Sequence, residues 1–146
     1  MEFVLGRRNK AGFLEPLEGD WVFIDWADGL PKTGEVSFEQ MLLARSLEAM
    51  AKSADIAGES HDQARYENLA GDMQKKLFEV FWDEQNQVMK HQRIDGEMQD
   101  IVTRYANMFG IFFNYFNEEQ QQSVKEKVLL NDDILQITTP YMRFYE

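Results

Sequence analysis

The run Ser37-Phe38-Glu39-Gln40-Met41-Leu42-Leu43-Ala44-Arg45-Ser46-Leu47 continues without Gly or Pro to Ala57, where Gly58 stops it. Ser37 with Gln40 has the spacing of a capping box, so the run predicts a helix over 37–57. Its apolar residues, Phe38, Met41, Leu42, Leu43, Leu47, Met50 and Ile56 with alanines between, spread wider than one stripe. That width predicts cover on two sides. Ser60 with Gln63 repeats the capping pattern and opens a helix to Phe81, with Ala64, Leu69, Ala70, Met73, Leu77, Phe78 and Phe81 inward and a charged face outward. A two-faced helix joined to a one-faced helix through a very short turn predicts an antiparallel helical hairpin.

Outward from this hairpin the alternation continues. Residues 101–116 are apolar almost all round, which predicts a second inner helix; Asn117 with Gln120 caps a shorter outer helix to Leu130. Thr138-Thr139-Pro140 opens a last helix with Pro at its favoured first position. Residues 83–99 between the hairpins are polar, and 88–94 predict a short strand or ribbon at a rim. Upstream, Gly6, Gly12, Pro16, Gly19, Gly29, Pro31 and Gly34 make residues 6–36 irregular, a length at which loops are often functional. Alternating buried and one-sided helices are what a closed ring of hairpins requires. The expected fold class is therefore all-α, with helical hairpins from an incomplete ring and long irregular loops. The expected division is 1–36 loop-rich, 37–82 hairpin, 83–100 rim, 101–130 hairpin and 139–146 the start of a further helix, all in one partial domain. Both ends read as cuts through structure, so a fragment of a larger domain is expected.

Composition narrows the function classes. Fifteen basic against 26 acidic residues give a net charge of −11, the wrong sign for nucleic acid or an anionic membrane surface. Cysteine is absent, which excludes disulfides, thiolate zinc sites and a cysteine nucleophile. His61 and His91 lie too far apart for a two-histidine metal motif on one helix, and no metal site is expected. His91, between Lys90 and Arg93 on the polar rim, is expected to be solvated, as is the turn Asp132-Asp133. Met1 to Leu5 are too few for a signal peptide.

The most informative stretch for chemistry is Glu18-Gly19-Asp20-Trp21-Val22-Phe23-Ile24-Asp25-Trp26-Ala27-Asp28. Aromatic rings offer flat apolar platforms and neighbouring carboxylates accept hydrogen bonds from hydroxyls, a pairing suited to a neutral polyhydroxylated ligand. On composition alone, tryptophans plugging the end of a helical core explain the stretch as well. Thr138, Thr139 and Tyr141 could reach a pocket or serve only capping and packing. No catalytic carboxylate pair can be picked out by spacing.

Phe23-Ile24-Asp25-Trp26 followed by a loop and an alanine-rich helix resembles the middle of a bacterial α-L-rhamnosidase catalytic domain. Arg104-Tyr105-Ala106-Asn107-Met108-Phe109-Gly110-Ile111 is similar to that family's inner-helix motif, and Thr139-Pro140-Tyr141-Met142 to its Pro-Tyr helix start. The resemblance runs from Gly19 to the end of the chain. It implies an (α/α)6 toroid and inverting hydrolysis of terminal α-L-rhamnose, in which one carboxyl protonates the leaving oxygen and a second, ~6.5–9.5 Å away, activates water. The family's acid and base motifs are absent from these residues, so no catalytic residue is assigned, and because two carboxylates suffice for this cleavage the resemblance implies no cofactor. The resemblance implies Trp26 stacking on the sugar and Asp25 accepting its hydroxyls, with Trp21 and Tyr141 as further pocket walls. Ile24 stands where many members have Gly; under the alternative registration the pocket pair is Asp20-Trp21. The implied partner is a rhamnose-containing glycan, and the implied parent a periplasmic or secreted bacterial enzyme. A homodimer through exposed inner helices, or packing against the rest of a parent chain, is expected at Phe109, Phe112, Phe113 or Phe116. The reading from a different class is a non-catalytic helical interaction domain.

Overall fold

A computed structural model describes residues 1–146 throughout. Helix α2 (Ser37–Ala57) and helix α3 (Ser60–Phe81) form the expected antiparallel hairpin. Gly58 takes the left-handed conformation that ends α2 and lets the chain reverse at once. The two helices meet along Ala44, Leu47, Ala51 and Ala54 on one side and Tyr66, Ala70, Met73, Leu77 and Phe81 on the other, at the three- and four-residue spacing of helix faces. The inward face of α3 includes Tyr66 and leaves Ala64 outside. On α2 the second apolar face is covered only at its start, where Phe38 packs on Tyr105 and Phe109; further along, Leu42 is part-exposed and Ile56 exposed.

Helix α1 (Glu2–Leu5) is a single turn at the start of the chain. The second inner helix, α4 (Arg104–Phe112), is shorter than its apolar run. Its N-terminal end is set by the rim, because Ile101 and Val102 are drawn into extended pairing with His91 and Lys90. At its other end Asn114 adopts a positive φ, and the returning chain lays Phe116 against Gly110, where any Cβ would run into the phenylalanine ring. Helix α5 (Glu118–Val124) continues as a π-helical turn, Lys125–Leu129, and α6 (Pro140–Arg143) starts where Thr139 and Pro140 place it.

The expectation of an all-α chain holds only for the hairpins. Strand β1 (Glu35–Val36) leads straight into α2, and β2 (Trp82–Asp83) leads out of α3. Strands β3 (Val88–Met89), β4 (Gln92–Ile94) and β5 (Glu97–Met98) fill the rim. They make a three-stranded antiparallel sheet ordered β1-β4-β5 and a two-stranded β2-β3 pair. Register pairs Glu35 with Arg93 and Arg93 with Met98. The sheet forms because the irregular segment returns to the rim through Gly34, whose positive φ and lack of a Cβ allow close approach to the Arg93 carbonyl.

The three capping boxes part ways. Asn117 and Gln120 form theirs reciprocally. Ser37 does not cap: its hydroxyl donates to the His91 carbonyl at 2.8 Å, and the Gln40 amide donates to Leu14 and Val36 carbonyls while accepting from the Leu14 N–H. Ser60 likewise gives no side-chain cap, the cap position falling on Glu59. His91 is a correction too. It is fully buried, bridging the Thr103 hydroxyl and the Pro31 carbonyl at 2.8 Å each, because the rim folds over onto the irregular segment. Asp132 and Asp133 are exposed, as expected. No helix is long and apolar enough to cross a membrane.

Candidate functional site

Residues 18–28 have no regular secondary structure, yet their side chains sort cleanly into two directions. Ile24, Asp25 and Ala27 point into the core, while Trp21, Phe23 and Trp26 face outward. The outward rings form a ladder, with centroids 5.6 Å apart between Trp21 and Phe23 and 5.1 Å between Phe23 and Trp26. Such spacings fall within the range of favourable aromatic pairs. Trp21 is 80% exposed and Trp26 70%, far more than a core plug would be.

Asp25 is the anchor of this ladder. It is 0% exposed; one carboxylate oxygen accepts from the Tyr105 hydroxyl of α4 at 2.7 Å and from the Thr138 N–H at 3.1 Å, and the other accepts from the Trp26 N–H at 2.8 Å. Burial by itself pushes the Asp25 carboxyl up; the hydrogen bonds outweigh it and hold the carboxyl below the usual aspartate value. Tyr105, buried and donating to that carboxylate, is pushed up. No ligand hydroxyl can reach these oxygens, so the expectation that Asp25 accepts them is corrected by its enclosure. The same carboxylate ties together the irregular segment, α4 and the approach to α6. The run Ile24-Asp25 turns inward because Ile24 fills core space with no exposed surface.

Beside the ladder lies a groove of about 680 Å³ lined by Met1, Phe3 and Val4 from the start of the chain, by Trp21, Val22 and Phe23, and by Phe38, Leu42 and Leu43 of α2. Glu15, Asp20 and Glu39 supply carboxylates to its lining. Asp20 accepts from the Leu17 N–H at 2.9 Å and from Arg7, which hold its carboxyl below the usual value. The pair Asp20-Trp21, rather than Asp25-Trp26, therefore lines the groove. Tyr141, 65% exposed, lines a second, mainly apolar cavity of about 370 Å³ that shares Phe23 with the groove and is also lined by Phe109, Phe112, Phe113 and Tyr145. The structure thus joins Trp21 and Trp26 through Phe23 and sets Tyr141 in the neighbouring cavity. No group of three or more His, Asp or Glu is placed to hold a metal ion.

The bacterial alpha-L-rhamnosidase 6 hairpin glycosidase domain family matches residues 3–135. The chain belongs to that family. Among curated proteins none matches. Membership gives the chain the six-hairpin glycosidase architecture as its context and carbohydrate as its class of substrate. It favours the glycosidase over the interaction-domain alternative. Glu39 and Tyr105 were missed by sequence reasoning. Tyr105 sits inside a quoted motif, but its partner Asp25 is 80 residues away.

Proposed function

We propose that this rhamnosidase-family chain contributes part of the sugar-binding wall of an enzyme that hydrolyses terminal α-L-rhamnose, and that it carries neither the catalytic acid nor the base. The observation that supports this reading is the solvent-facing ladder Trp21, Phe23 and Trp26, held from beneath by Asp25 and flanked by the groove. Trp21 and Trp26 stack on the apolar face of a sugar, Tyr141 borders the neighbouring cavity, and Asp25 is a positioning residue. The chain holds two helical hairpins, α2 with α3 and α4 with α5, where the family's domain has six. Phe109 and Phe116 are buried within the chain, which removes them from the expected contact; Phe113 is half-buried, and Phe112, 50% exposed, packs on the Tyr145 ring together with exposed Tyr141 and Phe144 to make one uncovered face. That face meets further hairpins of a parent domain or a second copy of the chain.

Ligand-observed NMR with methyl α-L-rhamnoside tests the sugar wall. Saturation transfer to the sugar is expected for the wild-type chain and lost in Trp21→Ala together with Trp26→Ala. Incubation with an aryl α-L-rhamnoside is expected to release no aglycone; turnover abolished by replacing a carboxylate of this chain would place catalysis here and overturn the reading.

A further inference from the structure

Glu39 stands in the first turn of α2 and lines the same groove as Trp21, partly buried. Its surroundings are unusual for a glutamate. The walls are Phe3, Trp21, Phe23, Phe38 and Leu42, and the nearest charge of note is another carboxylate, Asp20. Burial first, and the Asp20 charge second, push the Glu39 carboxyl above its ordinary value of 4.5, with no donor acting in the opposite direction. Arg7 lines the same groove but is committed to Asp20. A carboxylate drawn partly out of water without a donor is costly, and the cost is relieved when hydroxyls donate to it.

We propose that Glu39 is the polar recognition group of the groove, accepting hydrogen bonds from hydroxyls of a neutral sugar whose apolar face lies on Trp21 and Phe23. This rests on the sugar-wall reading above and adds to it the residue that distinguishes a polyhydroxylated ligand from a merely apolar one. Aromatic rings alone hold any flat apolar ligand. An acceptor set among them demands donors at one edge, and a neutral ligand avoids setting a further negative charge beside Glu15, Asp20 and Glu39. Because the donated hydrogen bonds favour the ionised carboxylate, binding strengthens as pH rises through the titration of Glu39. The other charged groups facing the groove are Arg7, Glu15, Asp20 and the Met1 amine. All four remain in Glu39→Gln, so that variant isolates the contribution of Glu39.

The test is binding of methyl α-L-rhamnoside to the whole chain between pH 4 and pH 7, followed by ligand-observed NMR, for the wild type, Glu39→Gln and Trp21→Ala. The expected result is that Glu39→Gln weakens binding on the order of tenfold at pH 7 and flattens the pH profile, with an unchanged thermal melt. If Trp21→Ala weakens binding while Glu39→Gln binds like wild type at every pH, the sugar wall stands and the role of Glu39 is overturned. If Glu39→Gln weakens binding but keeps the wild-type pH profile, Glu39 does not act through its charge, and the proposal is overturned. If the wild-type chain does not bind the rhamnoside at all, the sugar wall and the role of Glu39 fall together.

Discussion

The α2–α3 hairpin and the segment 6–36 lie against each other but are held by different physics. The hairpin is joined by apolar faces at helical spacing, with Leu47, Leu77 and Phe81 completely buried. The irregular segment also buries Phe13, Ile24 and Leu30 in the shared core, but it has few ladder hydrogen bonds and its backbone is fastened by single buried polar side chains: Gln40 to Leu14, His91 to Pro31, and Asp25 to Tyr105 and Thr138. Apolar packing is distributed, so its loss is graded. A buried polar tie is local, and removing one partner leaves the other without a substitute. The exposed ladder of aromatic rings sits on the second kind of support, which gives a geometry fixed by a few atoms.

Substitution at Asp25 breaks the comparison most sharply. Asp25→Ala strands the Tyr105 hydroxyl in the interior and removes the charged acceptor of the Thr138 N–H, and is expected to cost about 4 kcal/mol, at one to three for the unsatisfied hydroxyl and about 1.5 to 3 for the charged hydrogen bond. Leu47→Ala, in the fully buried centre of the hairpin, is expected to cost about 3 kcal/mol through its cavity. Chemical denaturation measures both. Hydrogen exchange separates them: Asp25→Ala should free amides of 20–30 and 137–139 ahead of the hairpin, whereas Leu47→Ala should lower protection throughout α2 and α3. Uniform loss in both variants would show that the two regions are one cooperative unit and that the distinction has no energetic content.

A milder change of conditions sharpens the same contrast. His91 is held below its ordinary pKa of 6.5, chiefly by burial, with the Pro31 carbonyl acting the other way. The folded chain therefore binds a proton at His91 less readily than the unfolded chain does. Stability is fully present above the unfolded value and declines as pH falls below about 6.5 towards the lower folded value. Asp25, also lowered in the folded state, adds its own loss only further down, below the ordinary aspartate value of 3.8. Urea midpoints at pH 7.5 and pH 5.5 check the histidine step. His91→Gln should remove the difference between them. A difference that persists in that variant would assign the pH response to other groups.

The two kinds of support also explain what could be read in advance. The hairpin, the Asn117 cap and the Thr139-Pro140 helix start are local, with partners within a few residues, and periodicity or spacing displays them. Ser37 and Gln40 have the spacing of a cap but serve contacts 54 and 26 residues away. Asp25 reaches Thr138 across 113 residues. A polar side chain in the sequence does not reveal whether it will face water or a distant partner; burial decides that, and burial follows from the assembled fold. For that reason nothing local in the pair Asp25-Trp26 shows that the ring faces water while the carboxylate beside it reaches Tyr105 and Thr138.

The smallest expected effect on stability comes from the ladder itself. Trp21 and Trp26 are mostly exposed, so replacing both by Phe should change stability by no more than about 0.5 kcal/mol, as for surface positions in general. Their fluorescence should be more informative. The third tryptophan, Trp82, is buried and packs on Phe78 and Phe116. Iodide should therefore quench two populations in the wild type, and the Trp21→Phe, Trp26→Phe double variant should retain only the protected one. Asp25→Ala, by releasing the backbone that carries the ladder, should change the environment of the accessible pair and leave Trp82 as it was. If Trp26→Phe instead removes protected emission, Trp26 is a core plug. The ladder would then lose its outer rung, and only Trp21 and Phe23 would remain to hold a sugar.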